Sequence, residues 1–258
     1  GEQDPDLPVT QVTQEVEIQE LGSFWLPAAT TPVRVDAGRR VLANQRFASL
    51  TINQRLRQGF SYTVVSQVPQ IDAADLAGPV DYRDYPSLRP YLETGSLDRE
   101  VEQQADAVVA AKDADTPFKK ALAIQDYLRS KEFRYNLNVP SLAAGGNQLR
   151  RFLTEVREGY CEQFAIAMAM MARQVGVPSR VAVGFTSGEI IDNTFQQVTT
   201  HDAHAWPELW FPKAGWVPFE PTPRGDGTVS VPTYTTPAGR VPADEAGQTA
   251  QPQTTRPD

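Results

Sequence analysis

The chain is organised around Arg157-Glu158-Gly159-Tyr160-Cys161-Glu162-Gln163-Phe164-Ala165, a stretch that contains its only cysteine. From that cysteine onward, small or apolar residues recur every three or four positions as far as Ala172, as in an amphipathic helix. Gly176-Val177-Pro178 then gives a stop signal. The sequence therefore places Cys161 at the N-terminus of a buried helix, where unpaired N–H groups and the helix dipole favour a thiolate. The alternative is a structural cysteine, because free cysteines are among the most buried residues.

Composition limits the classes of protein that fit. The 258 residues are 40% apolar and 22% charged, which is typical of a globular chain of one or two domains. The formal net charge of −8 is spread along the chain without a basic run, which argues against nucleic acid or an anionic membrane as the main partner. One cysteine and two histidines cannot form an internal disulfide or a cysteine-rich zinc site. We therefore expect no metal and no cofactor.

Three regions of different composition follow one another. Residues 1–80 hold runs of β-branched and aromatic residues, with strands expected at 12–18, 31–35, 47–52 and 59–65, and form a β-rich N-terminal module. Residues 81–223 form an α+β core, in which helices capped by Ser96 and by Thr116-Pro117 precede the Cys161 helix and strands follow it. Residues 224–258 are rich in Pro, Thr, Gly and Ala, which predicts a disordered linker.

A histidine and a carboxylate come together in the strands after the Cys161 helix. Strands are expected at 198–210 and 215–219, and a short turn between them would make an antiparallel pair. Period-two alternation puts His204 and Trp206 on one face of the first strand. Glu220 ends the second strand, and residues at equal distances from the turn lie side by side. The sequence therefore predicts Glu220 next to the part of the first strand that holds His204.

A thiol, an imidazole and a carboxylate in this order are typical of nucleophilic catalysis. The imidazole takes the thiol proton, and the carboxylate orients the ring and stabilises its charged form. The thiolate of Cys161 would attack an amide carbonyl and give a thioester, with backbone N–H groups at the helix start holding the oxyanion. Tyr160 and Trp206 are candidates for lining the site or assisting the oxyanion, with packing as the alternative for the tryptophan. Asp202 is the backup acid if Glu220 is misplaced, and otherwise a solvated turn residue.

Four ordered motifs give the chain a family resemblance. They are Gly159-Tyr160-Cys161-Glu162-Gln163-Phe164-Ala165, Gly176-Val177-Pro178-Ser179-Arg180, Asp202-Ala203-His204-Ala205-Trp206 and Gly215-Trp216-Val217-Pro218-Phe219-Glu220-Pro221-Thr222-Pro223. Together they resemble the transglutaminase-like superfamily of papain-like cysteine folds, and most of all the extracytoplasmic domains of bacterial multi-pass membrane proteins. By that resemblance Cys161 is the nucleophile and His204 the base. The third member in the family is an aspartate, and Glu220 stands at its position here.

The resemblance implies an activity with two alternatives. The implied reaction is acyl transfer from the side-chain amide of a protein or peptide glutamine to an amine, through a Cys161 thioester and without a cofactor. A cysteine peptidase or amidase with the same triad remains open, as does a binding or scaffold domain with a vestigial site. The glutamate at the aspartate position favours the last of these.

The resemblance also implies a location and a set of partners. The chain is expected to be a soluble extracytoplasmic domain of a membrane-anchored protein, with residues 224–258 leading to a membrane segment outside the sequence. Its expected partners are a glutamine donor and an amine acceptor, with no nucleic acid. Pro207 stands where the family has a residue able to donate a strand hydrogen bond, which predicts an edge strand or a bulge.

Overall fold

A computed structural model describes residues 7–44, 49–139, 148–192, 195–225 and 229–236. Contacts between Cα atoms divide the chain into a smaller unit, Pro5–Ile71, and a larger unit that begins at Asp72. The sequence analysis set this boundary near residue 80, whereas residues 72–80 are grouped with the larger unit. Helices and strands occur together in that larger unit, as the predicted α+β class requires.

The smaller unit consists of antiparallel β-structure. Its strands are β1 (Val9–Ile18), β2 (Pro32–Asp36), β3 (Val41–Asn44), β4 (Ser49–Ile52) and β5 (Phe60–Pro69). They form a sheet in the order β1-β5-β2 and a β3–β4 hairpin. Alternate residues of β1 turn inward, and Ile18 joins Ile52, Tyr62 and Val64 in one core. The four predicted strands are confirmed with shifted ends, although residues 47–48 lie outside the described part of the chain.

The larger unit contains the helices and the second sheet. The helices are α1 (Ala73–Leu76), α2 (Arg99–Ala110), α3 (Pro117–Leu128), α4 (Gln148–Arg151), which continues into the π-helical turn Phe152–Val156, and α5 (Cys161–Gln174). The strands are β6 (Arg134–Tyr135), β7 (Glu158–Gly159), β8 (Ser179–Phe185), β9 (Glu189–Ile190), β10 (Gln196–Gln197), β11 (Ala203–Phe211) and β12 (Gly215–Pro218). A 3-10 turn, Thr200–Asp202, precedes β11, so this strand is shorter than the predicted 198–210.

Polar side chains cap the two helices that precede the nucleophile segment. The Thr116 hydroxyl accepts a hydrogen bond from the Lys119 N–H, and proline follows at the first helical position, as predicted. The Ser96 cap predicted for α2 is wrong, because Asp98 accepts from the Glu100 N–H at 2.9 Å and fills that place. Aspartate is as good a cap as serine, and the extended turn through 98 shortens the helix by two residues.

Helix α5 packs against the sheet of order β12-β11-β8. The apolar stripe predicted for this helix is confirmed, since Phe164, Met168 and Met171 are fully buried. The Ser179 hydroxyl of β8 donates to the Ala169 carbonyl of α5 at 2.6 Å and ties the sheet to the helix. The predicted core, with the cysteine at the N-terminus of a buried helix on an antiparallel sheet, is therefore confirmed.

Strand β11 is the central strand, so the edge position predicted from Pro207 is wrong. Its carbonyl accepts from the Phe219 N–H at 2.9 Å, which shows that the polar groups of residue 207 face the β12 side. Strand β12 has already ended at Pro218. The missing N–H of the proline therefore falls just beyond a regular ladder, where its loss is tolerated.

Part of the predicted disordered linker packs on the larger unit. The hydroxyl of Tyr234 donates to the Pro218 carbonyl, and its ring meets Phe219 edge-on with centroids 6.1 Å apart. Val229 and Thr235 are buried. The prediction of disorder is therefore wrong for residues 229–236, because one aromatic ring in a polar segment supplies the anchoring surface. Residues 226–228 and 237–258 lie outside the described part.

Candidate active site

A short parallel bridge fixes the segment that leads to Cys161. Strand β7 pairs with β6, and the Asn136 N–H donates to the Gly159 carbonyl at 2.7 Å. A Cβ atom on Gly159 would lie 2.9 Å from the Cβ of Gln163 and 3.0 Å from a ring carbon of Phe152. The glycine before the nucleophile is therefore needed for close packing, which explains why it accompanies the cysteine in the sequence motif.

Cys161 is the first residue of α5, as the sequence predicted. Gln163 caps the helix from within, because its side-chain oxygen accepts from the N–H of Tyr160 at 3.0 Å. The thiol is half-buried and unoxidised, and the backbone N–H groups of Glu162 and Ala205 donate hydrogen bonds to it. The nucleophile candidate thus lies at the positive end of the helix dipole with fixed donors around it.

The pKa of the Cys161 thiol is lowered by its surroundings. Burial is the largest single influence and acts to raise it, because burial disfavours the thiolate. The hydrogen bond and the charge of His204, together with the two backbone N–H groups, outweigh that effect. The site therefore favours the thiolate, which is the nucleophilic form of cysteine.

His204 lies on β11 opposite Gly184 of β8. The imidazole is 5% exposed and stacks on the indole of Trp206, with ring centroids 6.1 Å apart and an interplanar angle of 20°. A Cβ atom on Gly184 would come within 2.9 Å of that indole. Glycine at 184 therefore leaves room for the tryptophan that supports the imidazole. A glycine inside a strand is the sequence signal that would have identified this position.

Glu220 reaches His204 from the segment after β12. The two strands pair with Trp210 opposite Trp216 and Leu209 opposite Val217, the register expected from a turn centred on residue 213. The Glu220 Oε2 atom lies 2.7 Å from His204 Nε2, and both side chains are buried. The structure thus brings together the thiol, the imidazole and the carboxylate that the sequence singled out.

The imidazole of His204 is held in its charged form. Burial is the largest influence and lowers its pKa, but the contacts with Cys161 and Glu220 prevail and raise the pKa to about 9. Since Nε2 is engaged by Glu220, Nδ1 is the nitrogen that remains for the thiol. This atom is buried and has no hydrogen bond of regular geometry among the described residues. We describe the Cys161–His204 interaction as a loosely aligned ion pair, a geometry common before substrate binds.

Three residues that the sequence analysis did not single out surround Glu220. The Glu220 N–H donates to the Gln125 Oε1 atom at 3.0 Å, and the Arg129 guanidinium donates to the carbonyl of Glu220 at 3.3 Å. The Thr222 N–H donates to the second carboxylate oxygen at 2.8 Å. Gln125 could have been noticed as a polar residue within the apolar stripe of α3, between Ala121 and Leu128.

The remaining candidates occupy different places. Asp202 accepts from the N–H and hydroxyl of Thr199 in the 3-10 turn before β11, which is the structural role expected of a turn residue. The Tyr160 hydroxyl donates to the Glu162 carboxylate at 2.8 Å, next to the thiol. His201 is exposed in the same 3-10 turn as Asp202. The backup acid is therefore engaged elsewhere, while Tyr160 and Trp206 adjoin the site.

The arrangement provides a nucleophile and an acid–base group but no evident metal ligands. Over the ranges that the structure describes, no three His, Cys, Asp or Glu side chains are grouped to hold a metal ion. A thiolate beside a charged imidazole can attack a carbonyl carbon and then protonate the leaving group. The first backbone N–H groups of α5 have no partner within the helix and can stabilise an oxyanion at the same place.

Comparisons with known proteins match this geometry. The sequence profile of the transglutaminase-like superfamily covers residues 102–221, which include Cys161, His204 and Glu220. The chain is 38% identical over 124 residues to the uncharacterized protein YebA of Bacillus subtilis, which is 45% of this chain and 17% of YebA. It is 37% identical over 101 residues to a protein-glutamine gamma-glutamyltransferase of Pseudomonas aeruginosa, which is 39% of this chain and 15% of that protein. The alignments thus span less than a fifth of both relatives.

Two solved structures share the fold. The periplasmic domain of TgpA from Pseudomonas aeruginosa has a TM-score of 0.63 and 25% identity, covering 82% of this chain and 69% of that one. A proposed cysteine protease from Cytophaga hutchinsonii has a TM-score of 0.50 and 16% identity, covering 82% and 74%. The second likeness concerns the fold alone.

Proposed function

Through residues 102–221 the chain belongs to the transglutaminase-like superfamily, and we propose that it transfers the acyl group of a glutamine side chain to an amine. The observation that carries this proposal is the buried 2.7 Å contact between His204 and Glu220 beside the thiol at the start of α5. Superfamily members are typically enzymes, either transglutaminases or cysteine proteases. The P. aeruginosa relative named as a protein-glutamine gamma-glutamyltransferase supports the choice of reaction.

The reaction proceeds through a thioester. The Cys161 thiolate attacks the carboxamide carbon of a glutamine, and the first N–H groups of α5 stabilise the oxyanion. The His204 imidazolium donates its proton to the nitrogen as the C–N bond breaks, and ammonia leaves. An amine then attacks the thioester carbon while His204 accepts its proton. The C–S bond breaks, an amide forms, and the thiolate–imidazolium pair is restored.

Glu220 fits the role of the third residue although the family has aspartate there. Its carboxylate uses one oxygen for His204 and the other for the Thr222 N–H. The extra methylene is therefore accommodated by a local turn. This geometry supports an active site over the vestigial one that the glutamate had suggested.

Amine incorporation tests the proposal. We expect the wild-type protein to attach a labelled primary amine to a glutamine-containing protein acceptor and to release one ammonia for each amine attached. Cys161→Ala should abolish both, because no other described residue offers a thiol. Equal incorporation by wild type and this variant would refute the proposal.

Hydrolysis is the second candidate outcome, because the Cys161 thiol is only half-buried and water can reach a thioester there. A peptidase or amidase would release an acid or a shorter peptide in place of an amide. Product analysis with and without added amine separates the two reactions. An amide product that increases with amine concentration supports transfer, and acid alone at every concentration supports hydrolysis.

We also propose an extracytoplasmic location in a membrane-anchored protein, with protein or peptide substrates as partners. The similarity to the periplasmic domain of TgpA supports the location. No helix in the described ranges is both long and apolar enough to cross a membrane. Fractionation of the full-length protein tests the proposal, and recovery in the cytosol alone would contradict it.

A further inference from the structure

The chain at Glu220 continues beyond the end of a strand. The last β11–β12 contact is the hydrogen bond from the Phe219 N–H to the Pro207 carbonyl at 2.9 Å. From Glu220 onward, the backbone groups bond to side chains of α3. The candidate acid is therefore placed by tertiary side-chain contacts and not by the sheet.

The two α3 residues that make these contacts lie one turn apart. Gln125 accepts from the Glu220 N–H at 3.0 Å, and Arg129 donates to the carbonyls of Glu220 at 3.3 Å and Thr222 at 2.5 Å. Gln125 is 1% exposed and Glu220 is 4% exposed. A buried amide on an apolar helix face is costly unless it is hydrogen-bonded, so this contact accounts for its presence.

These contacts determine how far the carboxylate reaches. Glutamate has one more rotatable bond than aspartate, so its carboxylate is less well fixed by its own backbone. Here the backbone of Glu220 is held by Gln125 and Arg129, and Oε1 is held by the Thr222 N–H. The Oε2 atom is thereby left at 2.7 Å from His204. A displacement of about 1 Å would remove that bond.

We propose that Gln125 and Arg129 are positioning residues that set where the Glu220 carboxylate meets His204. The proposal rests on the proposed function only in treating Cys161 and His204 as the reactive pair. Two titratable groups face the imidazole, the thiol at the start of α5 and the carboxylate of Glu220, and Arg129 is the charged α3 side chain that bonds this segment.

The test is an NMR titration of His204 in a Cys161→Ala background, where the thiol no longer contributes. The chain has two histidines, so His201 serves as an internal reference. Adding Gln125→Met should lower the His204 pKa by about half a unit to one unit, because the carboxylate that raises it is displaced. In the protein with Cys161, kcat for amine transfer should fall about tenfold with a smaller change in KM.

Ser179→Ala is the matched control. It also removes a buried side-chain bond to a backbone group, at the Ala169 carbonyl, without touching residues 220–222. It should lower thermal stability and leave the His204 pKa unchanged. An unchanged His204 pKa in Gln125→Met, with a comparable loss of thermal stability, would overturn the proposal and reduce Gln125 to a fold-supporting residue.

Arginine variants keep the test decisive if Gln125→Met fails to fold. Arg129→Lys should also lower the His204 pKa, because lysine cannot reproduce the paired contacts. Arg173→Lys is its control, since Arg173 likewise donates to two backbone carbonyls, those of Glu93 and Ser179. Equal His204 pKa values in both variants would contradict the proposal. A lowered pKa in Arg129→Lys alone, with no amine transfer by wild type, would retain the positioning role and reject the proposed function.

Discussion

His204 and Glu220 meet at 2.7 Å but are held in different ways. His204 lies in the central strand of a sheet, and the register with β8 places it opposite Gly184. Glu220 follows a strand that has ended, and its backbone bonds to Gln125 and Arg129 of α3. The base is thus positioned by a backbone ladder that tolerates side-chain changes nearby, whereas the acid depends on two particular side chains.

Removal of the base should have the largest effect in this comparison. His204→Ala leaves the ladder of β11 intact but removes the proton donor and the charge that stabilises the thiolate. We expect the rate of amine transfer to fall by on the order of 10²–10⁴. His201→Ala, which changes the exposed histidine of the 3-10 turn, is the control and should transfer at the wild-type rate. Equal losses in the two variants would show that His204 has no special role.

Shortening the acid should have a smaller effect. Glu220→Asp keeps the charge but withdraws the carboxylate by about 1.5 Å, because the backbone held by α3 cannot follow. We expect transfer to fall by about 10- to 10²-fold. Full activity in Glu220→Asp would mean that the segment moves freely and that the α3 contacts do not fix it.

Crowding the indole beside the base should have a lesser effect again. Gly184→Ala would place a Cβ atom 2.9 Å from the Trp206 ring, which must shift. We expect a loss of about 1–3 kcal/mol in the free energy of unfolding and a severalfold loss of transfer. Gly225→Ala is the matched control, because no atom lies within 4 Å of its added Cβ. Thermal unfolding of both variants compares them, and equal stability would show that the ring tolerates the methyl group.

Loss of a contact remote from the site should have the smallest effect. Tyr234→Phe removes the hydroxyl that donates to the Pro218 carbonyl but keeps the ring packed on Phe219. We expect about 1 kcal/mol less free energy of unfolding and an unchanged rate of amine transfer. A large loss of transfer would place the 229–236 segment in the function of the site.

The sequence was sufficient for the parts that depend on local pattern. The position of Cys161 followed from the apolar spacing of α5, and the approach of Glu220 to His204 followed from strand alternation and a short turn. The roles of Gln125 and Arg129 could not be predicted, because their partners lie 95 and 91 residues away and no periodicity links them. The packing of Tyr234 was missed for a similar reason, since composition averages over a single anchoring ring.

The most direct test of the thiolate–imidazolium pair is the rate of Cys161 alkylation by iodoacetamide as a function of pH. The lowered pKa of the thiol predicts that the rate rises well below pH 8.5, where an ordinary cysteine ionises. The thiolate should then persist through neutral pH, and the ion pair should be lost only as His204 releases its proton near its pKa of about 9. A single rise centred near pH 8.5, identical in wild type and His204→Ala, would contradict the account.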